Sequence, residues 1–306
     1  QNPSLKRSEE PEPEPEASVA ESTMSTTVKT LALSSSVALI AGADPTLVWG
    51  LVNLLQMFYY LMFFNVNYPD NLQRFFKIFS LGRLTFLPNF NGFFPGDLPE
   101  LKSPPNFYEN GFTGFLLDTA GCMLLLIFVN LLIYVAFKIL FQFQTRLPTL
   151  IKRLVVKAVN YYEWSVLIRI WISAYFELTM ASLLQIMNLN FTIGIFAVSS
   201  LLSFLTILMN IALPVVSFHI LRKINYRTNM DKYQSLVEDY DVNDPKKKYF
   251  MVMIIIQRLI KSLSIVLLYY APILQIMFVW IVNIALALMT IIKRPHHRTV
   301  NNFLNI

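Results

Sequence analysis

Few residues of this chain are suited to catalysis or covalent cross-linking, and the scarcities narrow the reading. A single cysteine, Cys122, in a chain of 306 residues excludes an internal disulfide framework. It sits in an apolar run and reads as a packed thiol. Three histidines, His219, His296 and His297, fall at or beyond a helix end and read as interfacial charges rather than metal ligands. Nine glycines form no phosphate-cradling motif, and no nucleophile constellation is present, so the chain is read as a non-enzyme that needs no cofactor and no metal. Charge is scarce as well: 14% of residues are Asp, Glu, Lys or Arg, against 55% hydrophobic. A water-soluble fold cannot cover that much apolar surface, and the composition points to a membrane protein.

What is present is a series of apolar runs. Residues 1–23 form an alternating Glu/Pro tract without an aromatic residue, expected to be a disordered linker. Residues 24–43 are apolar but carry Lys29, and read as an interfacial helix or a short extra crossing. Asp44-Pro45 is a helix-start signal. Six spans follow, at 47–66, 114–141, 164–187, 192–221, 249–269 and 273–292, with a kink expected at Pro214 in the fourth. The predicted fold is therefore all-α, a polytopic membrane helix bundle of residues 24–306. It has six crossings, or seven if 24–43 also crosses. Trp49, Tyr59 and Tyr60 read as interfacial anchors or as packing residues.

Between the first two spans, residues 67–113 are rich in proline and glycine and read as a folded extracellular cap. Residues 146–160 (RLPTLIKRLVVKAVN) alternate apolar and basic positions as a helix in the headgroup plane does. With the cap outside, the inner face receives fourteen Lys and Arg, four from 142–163, seven from 222–248 and three from the tail, against four in the cap. That asymmetry obeys the positive-inside rule, puts the C-terminus in the cytoplasm and explains the net charge of +6 without nucleic acid. The sequon Asn190-Phe191-Thr192 then lies outside as a glycosylation candidate. The bilayer is the first partner implied. Because the chain opens on Gln1 and stops within NNFLNI, it is expected to be a piece of a longer protein.

The candidate site is a set of ionisable residues inside the spans. Glu177 lies about 14 residues from the inner end of the third span, and Arg258 and Lys261 about 10 and 13 residues from the inner end of the fifth. A lone charge at mid-bilayer costs roughly 2.5 to 3.5 kcal/mol, so matched depth predicts that Glu177 pairs with Arg258 or Lys261. Arg169, two turns before Glu177, either snorkels inward or joins the cluster. The cluster reads as a structural staple, with gating or transport as the active alternatives. Asn53, Asn130, Asn210 and Asn283 add one amide to each of four spans, with Gln56, Gln185, Gln257 and Gln275 beside them, and are expected to knit helices together.

Three phrases carry a family likeness: LVWGLVNLLQMFYYLMFFNVNYPDNL, YYEWSVLIRIWISAYFELTMASLLQIMN, and QRLIKSLSIVLLYYAPILQ followed by KRPHHRTVNNFLNI. Residues 24–306 resemble the TRP-like C-terminal membrane region of large ciliate surface proteins. The resemblance implies a TRP-like bundle at the end of an extracellular array of cysteine-rich repeats, in proteins some of which act in cell recognition, mating-type recognition included. Arg169 and Glu177 match that family's Arg and Glu positions in the third span, and Arg258 the basic residue of the fifth. The repeats are absent here, in keeping with a fragment. The implied function is a multi-pass anchor and assembly module of a cell-surface recognition or receptor protein, in the plasma or ciliary membrane, working with other membrane subunits. The alternatives are a TRP-like or polycystin-like ion channel subunit and, third, a transporter using the buried charges. A TRP pore needs a re-entrant helix between the last two spans, and Tyr270 to Pro272 leave no room for one.

Overall fold

A computed structural model describes residues 54–80, 103–143, 145, 148–161, 167–189, 191, 194–223, 236 and 248–293. The linker at 1–23, the segment at 24–43, Trp49, Asn53, Asn190, His296 and His297 lie outside the described residues. Among those described, all regular structure is helical. An apolar chain in lipid must satisfy every backbone N–H and C=O internally, and helices do so segment by segment.

Five helices are long and apolar enough to cross a bilayer. They are α4 (Leu116–Gln142), α6 (Leu167–Met187), α7 (Gly194–Lys223), α8 (Phe250–Leu267) and α9 (Pro272–Lys293). A shorter apolar helix, α1 (Leu54–Phe63), ends in a 3-10 turn over Leu61–Phe63. Phe64 is already extended, so α1 stops short of the Val66 expected for the first span. The other spans fall within a few residues of expectation, and α7 runs unbroken through Pro214.

Two short helices, α2 (Asp70–Ile78) and α3 (Pro105–Tyr108), lie between α1 and α4. In α2, Asp70 in the first turn and Lys77 in the last complement the helix dipole. In α3, Pro105 sits where a missing N–H costs nothing. The chain then reverses through Gly111 and Gly114, whose φ values of 81° and 79° a side chain would oppose. These turns bury Phe107, Phe112 and Phe115. Phe63 lies 4.9 Å from Phe107 and 5.0 Å from Phe112, ring centre to ring centre, and Tyr269 packs on Phe107 at 5.8 Å. This aromatic cluster closes the bundle end at which α1, α6 and α8 finish and α4, α7 and α9 begin, termed the cap end. Tyr59 and Tyr60 belong to the same core, which identifies them as packing residues. Tyr68 donates to the Leu61 carbonyl (3.0 Å), and burial raises its phenol above the ordinary range.

The opposite end carries α5 (Thr149–Tyr161), the helix expected from the basic and apolar alternation at 146–160. Val155 and Val159 of α5 are buried, while Lys152 and Arg153 are exposed. At the centre stands α6, which packs against α4, α7 and α8. In its most apolar window 78% of residues are buried, against none in that of α4.

Candidate functional site

Hydrogen bonds radiate from α6, which carries a polar group at almost every turn: Trp171, Ser173, Tyr175, Glu177, Thr179, Ser182 and Gln185. In lipid such groups stay inside only if neighbouring helices answer them.

The first set joins α6 to α7 around Asn210. The Asn210 amide accepts from Trp171 Nε1 (2.7 Å) and donates to Thr179 Oγ1 (2.8 Å), while Tyr175 Oη donates to the Asn210 carbonyl (2.7 Å). That last bond follows from the sequence. Pro214 lies four residues after Asn210 and has no N–H, so the Asn210 carbonyl loses its helical donor and Tyr175 replaces it. Trp171, Tyr175 and Thr179 are spaced by four, which puts all three on one face of α6.

The second set lies near the cap end. Gln185 Oε1 accepts from the Leu116 N–H (3.0 Å) and from Ser199 Oγ (2.9 Å), and its Nε2 reaches Ser200 Oγ at 3.5 Å. Leu116 is the first residue of α4 and its N–H has no helical acceptor, so α6 caps a neighbouring helix. Close by, Gln275 of α9 accepts from the Asn65 N–H (3.1 Å) and donates to the Ile265 carbonyl (2.8 Å), and Asn65 Nδ2 donates to the Tyr269 carbonyl (3.0 Å). One residue just past the end of α1 is thus tied to α9 and to the turn that joins it to α8.

The third set is the charged layer. Glu177, Arg258 and Lys261 are all buried, each 5% exposed, and Arg169 is half-buried nearer the other end of α6. Arg258 Nη1 donates across to the Ile172 carbonyl of α6, the helix that bears Glu177. Lys261, one turn further along α8, points to a different neighbour: its Nζ lies 3.8 Å from Met57 Sδ of α1, and among the described residues it meets no carboxylate. Gln56 Nε2 donates to the Ser173 carbonyl (2.7 Å), so α1, α6 and α8 meet in one layer built of side-chain bonds to backbone carbonyls. In the last hairpin, Gln257 Nε2 donates to Asn283 Oδ1 (3.1 Å).

The expected amide bridges are therefore present at Gln56, Gln185, Asn210, Gln257, Gln275 and Asn283. Asn130 instead donates to Leu126 within its own helix (2.8 Å). Lys138, near the end of α4, is exposed and donates to Tyr134 Oη (3.0 Å). His219 is exposed on α7, and no group of three His, Cys, Asp or Glu able to hold a metal occurs among the described residues.

The sequence reading missed a seam on α7. Phe196, Ser199, Ser203, Thr206, Asn210, Pro214, Ser217 and Leu221 are all buried and recur every three or four residues, the small-residue stripe along which membrane helices approach closely. Their spacing was there to be found. The Tyr175 to Asn210 bond was not, since it depends on the register of two helices. No family model, curated protein or solved structure matches this chain.

Proposed function

We propose that this chain is the membrane anchor and assembly module of a cell-surface recognition or receptor protein, set in the plasma or ciliary membrane with its C-terminus cytoplasmic. The observation that carries the reading is the commitment of α6. Its side chains are spent on bonds to α4 and α7, and its backbone carbonyls accept from α1 and α8, which holds the bundle together. The last two long helices are joined by residues 268–271 alone, too few for a re-entrant pore helix and filter. Glu177 and Arg258 act in this reading as a staple between α6 and α8. The likeness to ciliate surface proteins supplies the recognition role.

A TRP-like or polycystin-like channel subunit is the second reading, favoured by the layer of Glu177, Arg258 and Lys261, since buried intramembrane charge is the usual substrate of gating. Purification of the chain, reconstitution in planar bilayers and current recording separate the two. Silent bilayers are expected; robust cation currents would overturn the anchor reading.

A further inference from the structure

The two ends of the bundle differ in charge as well as in packing. Among the described residues the acidic side chains are Asp70, Glu109 and Asp118, all toward the cap end, where Arg74 and Lys77 offset them, and Glu177 in the interior. At the other end stand Lys138, Lys152, Arg153, Arg222, Lys223 and Lys248, with no described carboxylate among them. Five of these six are exposed, and Lys248 is half-buried.

α5 gives this charge a shape. It packs on α4, burying Val155 and Val159, and leaves Lys152 and Arg153 exposed with Ile151, itself 46% exposed, beside them. A helix that leaves basic and apolar side chains uncovered side by side suits the plane where acyl chains meet headgroups. Lys138 approaches the same level from α4. Its long stem lets the ammonium leave the hydrocarbon, and Tyr134 Oη steadies it (3.0 Å).

We propose that this end, with α5 as its lateral arm, binds the anionic phospholipid headgroups of the leaflet in which it sits. The occupant is identified by charge and by place. A surface with a net excess of Lys and Arg, at the level of an interfacial helix on a bilayer-spanning bundle, meets headgroup phosphates and serine carboxylates before any soluble anion. Basic residues near such a surface each contribute about 1 kcal/mol, a contribution that fades within a Debye length and with salt. The inference holds for an anchor and for a channel subunit alike.

Native mass spectrometry of the full chain, extracted in detergent and supplied with phosphatidylserine or phosphatidylcholine, tests it. Phosphatidylserine should be retained preferentially, and the double variant Lys152→Gln/Arg153→Gln should lose roughly thirtyfold of that preference, about fivefold for each charge. Both residues are exposed, so the variant should melt with the parent in phosphatidylcholine. Arg74→Gln/Lys77→Gln on α2, at the cap end, should leave the preference intact. Equal retention of the two lipids, or a double variant that binds like the parent, would overturn the proposal. So would displacement of phosphatidylserine by millimolar inorganic phosphate, which would mark a site for a soluble anion.

Discussion

α4 and α6 are each long and apolar enough to span a bilayer, yet they occupy opposite positions. α4 is the most apolar of the five long helices and has no buried residue in its most apolar window; α6 is the least apolar and is 78% buried there. In water the order would be reversed, because burial there follows apolar area. In lipid the hydrocarbon already serves apolar side chains, so helix association selects the groups that lipid serves badly: hydroxyls, amides, charges and close backbone contacts. α6 is central because it is polar.

The largest expected effect strikes that centre. Glu177→Arg would place a third buried cation near Arg258 and Lys261, and an uncompensated buried charge costs on the order of 3 to 5 kcal/mol. Folded protein should be lost from the membrane fraction, and Glu177→Arg/Arg258→Glu should restore part of it. A double variant no better than the single one would remove Arg258 as the partner.

A smaller loss, about 2 kcal/mol, is expected for Gln185→Leu, which leaves the Leu116 N–H and the Ser199 hydroxyl without their acceptor. Reversible unfolding in mixed micelles measures it. A loss below the error of that assay would show that α4 does not depend on α6 for its first turn.

Tyr175→Phe removes only the donor to the Asn210 carbonyl and should cost about 1 kcal/mol. With Pro214→Ala the helix regains its own donor, and in that background Tyr175→Phe should be nearly neutral. Equal costs in both backgrounds would refute the link between proline and phenol.

The smallest effect belongs to α4. Leu132 is 50% exposed, and Leu132→Ala should change stability by less than about 0.5 kcal/mol, since no packed cavity forms. A loss of the size seen in buried cores, roughly 2 to 5 kcal/mol, would mean that protein rather than lipid covers this face.

Much of the fold was legible in the residues because the rule behind it is local. An apolar run long enough to cross needs no knowledge of its neighbours, and the basic pattern at 146–160 marks a helix in the same way. The amides were legible as a class, since an Asn or Gln in hydrocarbon must find a partner. Their partners were not. Lys261 and Arg258 had equal claims on Glu177 by depth, and side-chain direction around α8 sends Arg258 toward α6 and Lys261 toward Met57. α1 ends at Phe63, earlier than its apolar run suggested, with the Asn65 that follows it bonded to Gln275 and Tyr269 of the last hairpin.

By itself the sequence determined that the chain is helical, that it enters a bilayer, where the long helices run, and at which end positive charge collects. Each of these depends on composition and on spacing within one segment. Tertiary structure decided which helix stands at the centre, which amide meets which carbonyl, and that a tyrosine on α6 repairs the gap left by a proline on α7. Those outcomes depend on the rotation and axial offset of one helix against another, and a shift of a single residue, about 1.5 Å along and 100° around the axis, would undo them.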